Sequence, residues 1–224
     1  MTAQTLPQPI PHDTKPTRTR DARFWDRIAR KYAAKPVSDQ AAYETKLQMT
    51  RAHLTPQMEV LEFGCGTGTT ALSHAPHVRH ILATDLSGEM LAVAREKAAA
   101  AQIENVTFQQ TSIEDLTAEE QRFDMVMAHS ILHLLEDRDA VIAKTHALLK
   151  PGGVFVSSTV CLGDWLAIFG LIAPIGRWLG IFPLVKVVRG EEIRASLSHQ
   201  RFEIVEDFQP TKKAGLFLIA RKPG

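Results

Sequence analysis

The chain has 224 residues, of which 45% are hydrophobic and 23% are charged, and its formal net charge at pH 7 is +1. This length accommodates one α/β domain with a full core and additional lid segments, and the composition is ordinary for a soluble globular protein. The near-zero charge excludes the strongly basic composition of many nucleic-acid-binding proteins, so we expect no nucleic-acid partner. The two cysteines, Cys65 and Cys161, are too few for a disulfide framework or a structural zinc site. We therefore expect free thiols in a cytoplasmic protein and no bound metal.

The N-terminal part of the chain predicts a tail followed by two helices. Residues 1–20 are rich in proline, threonine and charge and lack the apolar core of a secretory signal, so we expect a disordered tail. The stretch "DARFWDRIARKYAA" predicts a short amphipathic helix capped by Asp21, and "DQAAYETKLQMTRAHL" predicts a second one. We expect both to act as lid helices within residues 21–56. The first helix is indicated by apolar side chains spaced four residues apart: Phe24, Ile28 and Tyr32.

Residues 57–224 alternate apolar runs with helical patterns, which is typical of an α/β domain. Runs such as "DMVMA" show no apolar–polar alternation, so we expect strands that are buried on both faces of a mainly parallel sheet. Ligands of such sheets bind at the carboxyl ends of the strands. Strands are predicted over residues 60–63, 80–84, 106–110, 123–128, 154–160, 202–208 and 215–221. Helices are predicted from residue 69 and over residues 87–101, 138–149 and 191–198.

The stretch "WLAIFGLIAPIGRWLGIFPLVKVV", from Trp165 to Val188, raises the question of a membrane span. A spanning helix needs about twenty mostly apolar residues without interruption. Here Arg177 lies in the middle, and Pro174 and Pro183 are expected to break the helix on either side of it. We therefore expect an apolar insertion over residues 162–189 rather than a membrane span.

The stretch "VLEFGCGTGTTAL" places three alternating glycines where a strand ends and a helix begins. Glycine allows the backbone to turn sharply and lets a ligand approach closely. A dinucleotide fingerprint would need Gly or Ala at position 69, which is Thr69, and a phosphate loop would need a lysine at its end. Glu62, just before the turn, would repel a pyrophosphate but suits an ammonium group or a water network. The turn therefore indicates a nucleoside-bearing cofactor without a pyrophosphate.

The next carboxylate is Asp85, which ends the strand "HILATD" 23 residues after Glu62. An acid at the end of the second strand commonly accepts hydrogen bonds from a ribose diol. The alternative is that Asp85 caps the following helix, although Ser87 is better placed for that cap. We expect the ribose role for Asp85.

Five motifs follow one another in the order and spacing typical of one enzyme family: "VLEFGCGTG", "ILATDLSGEML", "VTFQQTSIEDL", "FDMVMAHSILHLLED" and "LLKPGGVFVSS". With them the chain resembles class I S-adenosylmethionine-dependent methyltransferases of the small-molecule type, over roughly residues 55 to 160. The resemblance implies a Rossmann-like three-layer α/β sandwich whose seven-stranded, mostly parallel sheet has its last strand antiparallel. The predicted hairpin over residues 202–221 agrees with that. The implied cofactor is S-adenosyl-L-methionine.

The resemblance also implies which residues bind that cofactor. The turn of Gly64, Cys65, Gly66 and Gly68 would pack against its methionine end, with Cys65 as a small residue beside it. Glu62 would serve the amino group, and Asp85 the ribose hydroxyls. The family's usual "GDAEDL" is "TSIEDL" here, so an aspartate contact to adenine is lost, although Ser112 can still hydrogen-bond the adenine amine. The remaining implied contacts are Leu86, Met90 and Ile113 beside the adenine, Tyr32 closing over the cofactor, and His129 facing the sulfonium.

Methyl transfer from a sulfonium needs a base only if the acceptor must lose a proton. His129 and His133 are the candidate catalytic residues, and they would share one face of a helix if this segment is helical. The alternative for His133 is a partly buried side chain that is hydrogen-bonded within its loop.

Several functional hypotheses stay open. The first is a methyltransferase for a small, apolar acceptor such as a quinone or a polyketide. The insertion would then form a lid or an apolar wall of the acceptor pocket. The second is a membrane-peripheral lipid methyltransferase acting on a phospholipid amine, with Trp165 and Trp178 dipping into the interface through residues 165–188. The others are a cofactor-binding relative without transferase activity and a dehydrogenase. The acceptor, the attacked atom and the oligomeric state are not determined by the sequence.

Overall fold

The computed structural model describes residues 19–179 and 181–224. Within them, seven strands and seven α-helices form an alternating α/β domain. The strands are β1 Glu59–Phe63, β2 His80–Asp85, β3 Val106–Gln110, β4 Phe123–His129, β5 Leu149–Thr159, β6 Glu203–Phe208 and β7 Leu216–Arg221. The helices are α1 Arg20–Ala33, α2 Gln40–Arg51, α3 Thr69–His74, α4 Gly88–Ala100, α5 Arg138–Leu148, α6 Phe169–Trp178 and α7 Gly190–His199. Short 3₁₀ turns span Ala75–His77, Leu132–Leu134 and Leu162–Asp164.

The seven strands form one sheet in the order β3-β2-β1-β4-β5-β7-β6. The pairs among β1 to β5 are all parallel, whereas β7 runs antiparallel to both of its neighbours, β5 and β6. The expected sheet with an antiparallel last strand is thus confirmed. Chain order reverses at β1, which lies between β2 and β4, and this switch point opens the crevice in which such sheets bind ligands.

Helices cover both faces of the sheet and divide the core in two. Helices α5 and α7 bury apolar residues against one face, and α3 and α4 do so against the other. Strand β4 shows why its sequence lacks alternation, since Met125, Val126 and Met127 are all fully buried between these two layers. The three-layer sandwich expected from the sequence is confirmed.

The N-terminal region differs from the prediction at its first helix. Residues 1–18 of the predicted disordered tail lie outside the described residues. Its last two residues differ from the prediction, since Thr19 caps α1 and Arg20 begins it. The cap of α1 is Thr19, whose hydroxyl accepts from Ala22 N at 3.1 Å. The prediction that Asp21 caps this helix is therefore wrong. The Asp21 carboxylate instead accepts from Leu184 N at 3.0 Å and pairs with Arg177 at 3.4 Å. The Asp21 side chain therefore makes contacts with residues far away in the sequence, which a local pattern does not predict.

The apolar insertion also differs from the prediction. Pro174 does not break the helix, because α6 runs through it from Phe169 to Trp178. Proline keeps a helical φ and removes one hydrogen bond, and exposure of Pro174 lets solvent satisfy the carbonyl that lost its donor. The helix ends where the Gly176 carbonyl accepts from Ile181 N at 2.8 Å. In the described ranges no helix combines the length and the apolar character needed to cross a membrane.

Strand β5 begins at Leu149, five residues before its predicted start. Leu149 pairs with Phe123, and the Pro-Gly-Gly stretch that follows bonds to the far end of β7: Gly152 N donates to Lys222 O at 3.0 Å, and Lys222 N donates to Gly153 O at 2.9 Å. These partners lie far away in the sequence, so the local pattern of this stretch predicts the end of a helix but not the start of a strand.

Candidate functional site

A pocket that encloses about 660 Å³, including space open to solvent, lies at the carboxyl ends of β1, β2 and β4, beneath α1. The predicted site residues that line it are Tyr32, Gly64, Gly66, Asp85, Leu86, Met90, Ser112, Ile113 and His129. The others lining it are Trp25, Phe63, Thr111, Glu114, Ser130, Ile131, Leu134 and Leu135. Glu62, Cys65, Gly68 and His133 are outside this lining.

Two glycines of the turn after β1 are required for different structural reasons. Gly66 has φ +54°, and a Cβ added to it would meet no atom within 4 Å, because its open side faces the pocket. Gly68 has φ +72°, and an added Cβ would lie 2.8 Å from the Ala94 side chain and 3.2 Å from the ring of Phe108. Gly66 therefore leaves room for a ligand, whereas Gly68 permits close packing of the turn on α4 and β3.

Asp85 joins the glycine turn to the start of α4. One carboxylate oxygen accepts from Gly66 N at 2.9 Å, and the other accepts from Ser87 N at 2.8 Å. Burial raises the pKa of Asp85, and these backbone donors oppose that rise. Each carboxylate oxygen can accept a second hydrogen bond, so Asp85 retains acceptor capacity toward the pocket that it lines. The cap of α4 is Ser87, whose hydroxyl accepts from Met90 N at 3.1 Å.

Glu62 lies beneath the glycine turn and is 1% exposed. Burial raises its pKa to about 8, against an opposing hydrogen bond from the backbone of Ala71. One of its carboxylate oxygens has no hydrogen-bond partner among the described residues. A buried oxygen without a donor is unfavourable, so this atom suits a donor or a cation supplied from the ligand side of the turn.

An apolar end of the pocket is formed by Leu86 after β2, Met90 on α4 and Ile113 in the loop after β3. Ser112 also lines it, but its hydroxyl already donates to the Asp115 carboxylate at 3.0 Å and accepts from Asp115 N at 3.1 Å. The Ser112 side chain therefore stabilises its own turn, and its remaining acceptor capacity is what a ligand could use.

Helix α1 covers the pocket with two aromatic residues. Trp25 and Tyr32 both line it, and their rings meet edge to face with centroids 6.2 Å apart. Burial, and to a lesser extent the charge of Asp85, raises the pKa of Tyr32. Trp25 is not among the predicted site residues, because the four-residue spacing groups Tyr32 with Phe24 and Ile28. A signal for Trp25 did exist, since residues seven apart lie on the same helix face.

The segment with the two candidate catalytic histidines is not an α-helix, so the condition for a shared helix face is not met. His129 is the last residue of β4, and His133 lies in a 3₁₀ turn after a reversal at Ser130, whose φ is +55°. His129 lines the pocket, and its Nε2 has no partner among the described residues. His133 is buried under the insertion, where its carbonyl accepts from Lys186 N at 2.7 Å. Burial lowers the pKa of each histidine to about 4, so both are neutral at pH 7.

Comparison with known proteins identifies the same central region. Residues 60–153 match the family model described as "Methyltransferase domain". The ubiquinone biosynthesis O-methyltransferase of Coxiella burnetii is 35% identical over 101 residues, which are 45% of this chain and 43% of that protein. The uncharacterized methyltransferase YcgJ of Bacillus subtilis is 31% identical over 110 residues, which are 49% of this chain and 44% of that protein.

Two solved structures show how far the fold itself agrees. The crystal structure of YcgJ has a TM-score of 0.67 at 16% identity and covers 81% of this chain and 99% of that one. An S-adenosylmethionine-dependent methyltransferase from Mesorhizobium loti has a TM-score of 0.67 at 22% identity and covers 82% of this chain and 99% of that one. The sequence matches span less than half the length of the curated relatives, and the solved structures establish the fold.

Proposed function

We propose that this chain, which contains a class I S-adenosylmethionine-dependent methyltransferase domain, moves a methyl group from S-adenosylmethionine to a small, hydrophobic acceptor. The observation that carries the proposal is the arrangement of Asp85 and the glycine turn. The Asp85 carboxylate is fixed by Gly66 N and lines the pocket from the end of β2. A fixed carboxylate with spare acceptor capacity fits a ribose diol.

The other residues of the site fit the remaining parts of this cofactor. The buried oxygen of Glu62 without a partner would receive the amino group, and the open side of Gly66 leaves room for the methionine chain. The adenine would lie among Leu86, Met90 and Ile113, with Ser112 beside its amine. Tyr32 would close over the cofactor from α1. Gly64, Cys65 and Gly68 would complete the turn. Gly64 lines the pocket, whereas Cys65 and Gly68 lie outside the lining.

The cofactor, when bound, supplies an electrophilic methyl group on a sulfonium. The chain's own residues then have to hold the acceptor in line and keep water out, and such positioning contributes several kcal/mol. Helix α1 excludes water with the rings of Trp25 and Tyr32. Neutral His129 can accept a hydrogen bond from an acceptor hydroxyl at its free Nε2. His133 lies outside the lining, so its catalytic role would need a change in the turn after β4.

The character of the pocket wall supports an apolar acceptor. Beyond the cofactor-binding residues, the wall consists largely of Trp25, Phe63, Ile131, Leu134 and Leu135. The relative from Coxiella burnetii is named for O-methylation in ubiquinone biosynthesis. This name favours a small organic molecule with an oxygen nucleophile as the acceptor here.

A second candidate is a membrane-peripheral lipid methyltransferase, and the surface of α6 favours it. Along this helix Ile168, Ile172, Ile175 and Leu179 are 64%, 52%, 60% and 57% exposed, and Trp178 is 76% exposed. The described residues that α6 buries are small, Ala173 and Gly176. Basic side chains accompany the tryptophans: Arg20 donates to Trp178 O, and Lys213 lies over the ring of Trp165. An apolar face with aromatic and basic residues is typical of proteins that bind lipid surfaces.

The experiment that tests the proposal is transfer of a labelled methyl group from S-adenosylmethionine to compounds of a cell extract, with the labelled product identified by mass. Replacing Asp85 with Ala is expected to weaken cofactor binding by about tenfold or more, because charge-assisted hydrogen bonds to the ribose are lost. The control Asp139→Ala removes a carboxylate from α5, outside the pocket, and should bind the cofactor normally. Cofactor binding without transfer to any extract compound would indicate a relative that has lost its transferase activity, and tight NADH binding would indicate a dehydrogenase.

A further inference from the structure

Lys46 is a half-buried cation on α2 that the fold itself leaves only partly satisfied. Its Nζ donates to the Ser158 hydroxyl at 3.2 Å and lies 6.0 Å from the ring centroid of Phe217. In the described part of the chain, no carboxylate forms an ion pair with it. An ammonium group has three N–H donors, and the structure accounts for one of them.

The surroundings connect Lys46 with the pocket. Ser158 lies directly beside His129 in the parallel pairing of β5 with β4, and Ser130 N donates to Ser158 O at 2.7 Å. His129 and Ser130 both line the pocket. Side chains of directly paired residues in neighbouring strands project from the same face of a sheet, so the Lys46–Ser158 pair lies beside His129 at the edge of the pocket.

Gly215, just before β7, lies beside the Lys46–Ser158 pair. A Cβ added to Gly215 would lie 3.5 Å from the Ser158 hydroxyl and 3.7 Å from Lys46 Nζ. The charge of Asp39, at the cap of α2, acts on Lys46, and His129 interacts with both Lys46 and His74 of α3. Strands β5 and β7 offer Ser158 and Phe217, which do not titrate. Burial lowers the pKa of Lys46, and its charge in turn lowers the pKa of His129.

We propose that Lys46 and Ser158, together with His129, form the subsite that holds the ionised oxygen of the acceptor, so that the acceptor is a hydrophobic phenol. This inference rests on the proposed methyl transfer and names its substrate class. A cation without a carboxylate partner, next to a pocket that also has to receive a sulfonium, attracts an anion and repels a protonated amine. The subsite therefore disfavours the phospholipid amine as the acceptor.

The reaction then proceeds from the phenolate. The phenol loses its proton to solvent water before transfer, and the ionised oxygen forms a bond to the methyl carbon as the carbon–sulfur bond breaks. The electron pair of that bond stays on sulfur, which becomes a neutral thioether. His129, whose pKa is about 4, cannot retain the proton at neutral pH. The anion must therefore be stabilised by a neighbouring cation, which is the role assigned to Lys46.

The first test measures binding and not activity. The probe is 4-nitrophenol carrying an alkyl chain, titrated with pH in the presence of S-adenosylhomocysteine, and the absorbance of its anion reports ionisation. In the wild type, the ionisation constant of the bound phenol should rise about tenfold over that in solution, which is one pKa unit. Lys46→Met should return it to within about threefold of the solution value, and Lys46→Arg should keep most of the shift.

The second test follows methylation of the same phenol against pH. The acidic limb of kcat, which reports the bound phenol, should move to higher pH by about one unit in Lys46→Met, whereas affinity for S-adenosylhomocysteine should stay within about twofold. The control is Lys31→Met, which removes an exposed lysine from α1 outside the pocket lining and should leave both measurements unchanged.

The outcomes separate this inference from the function it rests on. If the wild type binds S-adenosylhomocysteine but Lys46→Met shifts neither the phenol ionisation nor the kinetic limb, the subsite assignment is wrong and the proposed function stands. Transfer of the methyl group to amines but not to phenols would likewise show that the subsite assignment is wrong and leave the proposed methyl transfer intact. If the wild type binds no S-adenosylhomocysteine, the proposed function is overturned and this inference with it.

Discussion

At the scale of single residues, the two carboxyls beside the glycine turn both have a pKa raised by burial, but they differ in their hydrogen-bond partners. Asp85 accepts from two backbone N–H groups, which favour its ionised form. Glu62 is buried with one oxygen unpartnered, and its pKa rises to about 8. A carboxyl whose pKa is raised by folding contributes stability below its unfolded pKa, near 4.5, and this contribution is lost as pH rises toward 8. The chain without cofactor therefore carries Glu62 mostly protonated at pH 7.

This difference predicts proton release on cofactor binding. A cationic amino group beside Glu62 favours its carboxylate, so binding at pH 7 should release about one proton, and affinity should rise from pH 6 to pH 8. Calorimetry in two buffers with different ionisation enthalpies measures the release. Glu62→Gln should abolish this release, whereas Glu59→Gln, a surface substitution on the same strand that removes ion pairs to Arg79 and His80, should keep it. Equal release in the wild type and Glu62→Gln would contradict the assignment.

At the scale of secondary-structure elements, α1 acts as a lid because its partner is the start of α4. The Asp26 carboxylate accepts from the Ser87 hydroxyl at 2.7 Å and from Glu89 N at 3.2 Å. Arg30 on the same helix forms a two-pronged ion pair with Glu96 at 2.6 and 2.7 Å, but both of these side chains are largely exposed. A partly buried contact at a helix N-terminus contributes more than an exposed ion pair. We infer that Asp26 holds the lid closed.

Replacing Asp26 with Ala should therefore loosen α1 over the pocket. We expect faster hydrogen exchange across residues 20–33 and cofactor dissociation that is faster by about tenfold, in keeping with the loss of hydrogen bonds to a charged group. Glu96→Ala removes the exposed ion pair between the same two helices and serves as the control, because an ion pair that solvent screens contributes little to stability. If both variants behaved alike, Asp26 would have no special role in closure.

At the scale of the whole molecule, the exposed apolar face of α6 and the pocket belong to connected parts of the fold. The insertion that carries α6 is tied to α1 through Asp21 and Arg177, and to the turn after β4 through Lys186 N and His133 O. Arg177 also pairs with Glu136 at 3.1 Å. A surface that binds lipid would therefore lie next to the elements that cover the pocket, which suits a hydrophobic acceptor dissolved in a membrane.

The lipid-binding candidate predicts a specific pair of substitutions. Ile172→Ser with Ile175→Ser should abolish sedimentation of the protein with vesicles that contain phosphatidylglycerol, because both side chains are exposed and apolar. The free energy of unfolding should stay within about 0.5 kcal/mol, since neither side chain is buried. Val205→Ser changes an exposed apolar residue on the edge strand β6 and should not affect sedimentation. Absence of sedimentation in the wild type would remove the second candidate.

The sequence by itself determined the sheet, the glycine turn and the ends of the strands that meet there. Those features depend on short-range patterns: Gly66 needs a positive φ, Asp85 ends an apolar strand, and Ser87 caps the helix that follows. Parallel strands then bring their carboxyl ends to one edge whatever the details of packing. The motif resemblance could therefore assign Asp85, Leu86 and Met90 to positions that line the pocket.

Only the tertiary structure decided which side chains meet from distant parts of the chain. The rotation of α1 brings Trp25 over the pocket, and the turn after β4 separates His133 from His129. The position of α2 brings Lys46 to Ser158, 112 residues away. Contacts of this kind depend on how packed elements are oriented, and the periodicity of a single segment fixes its faces but not what each face will meet.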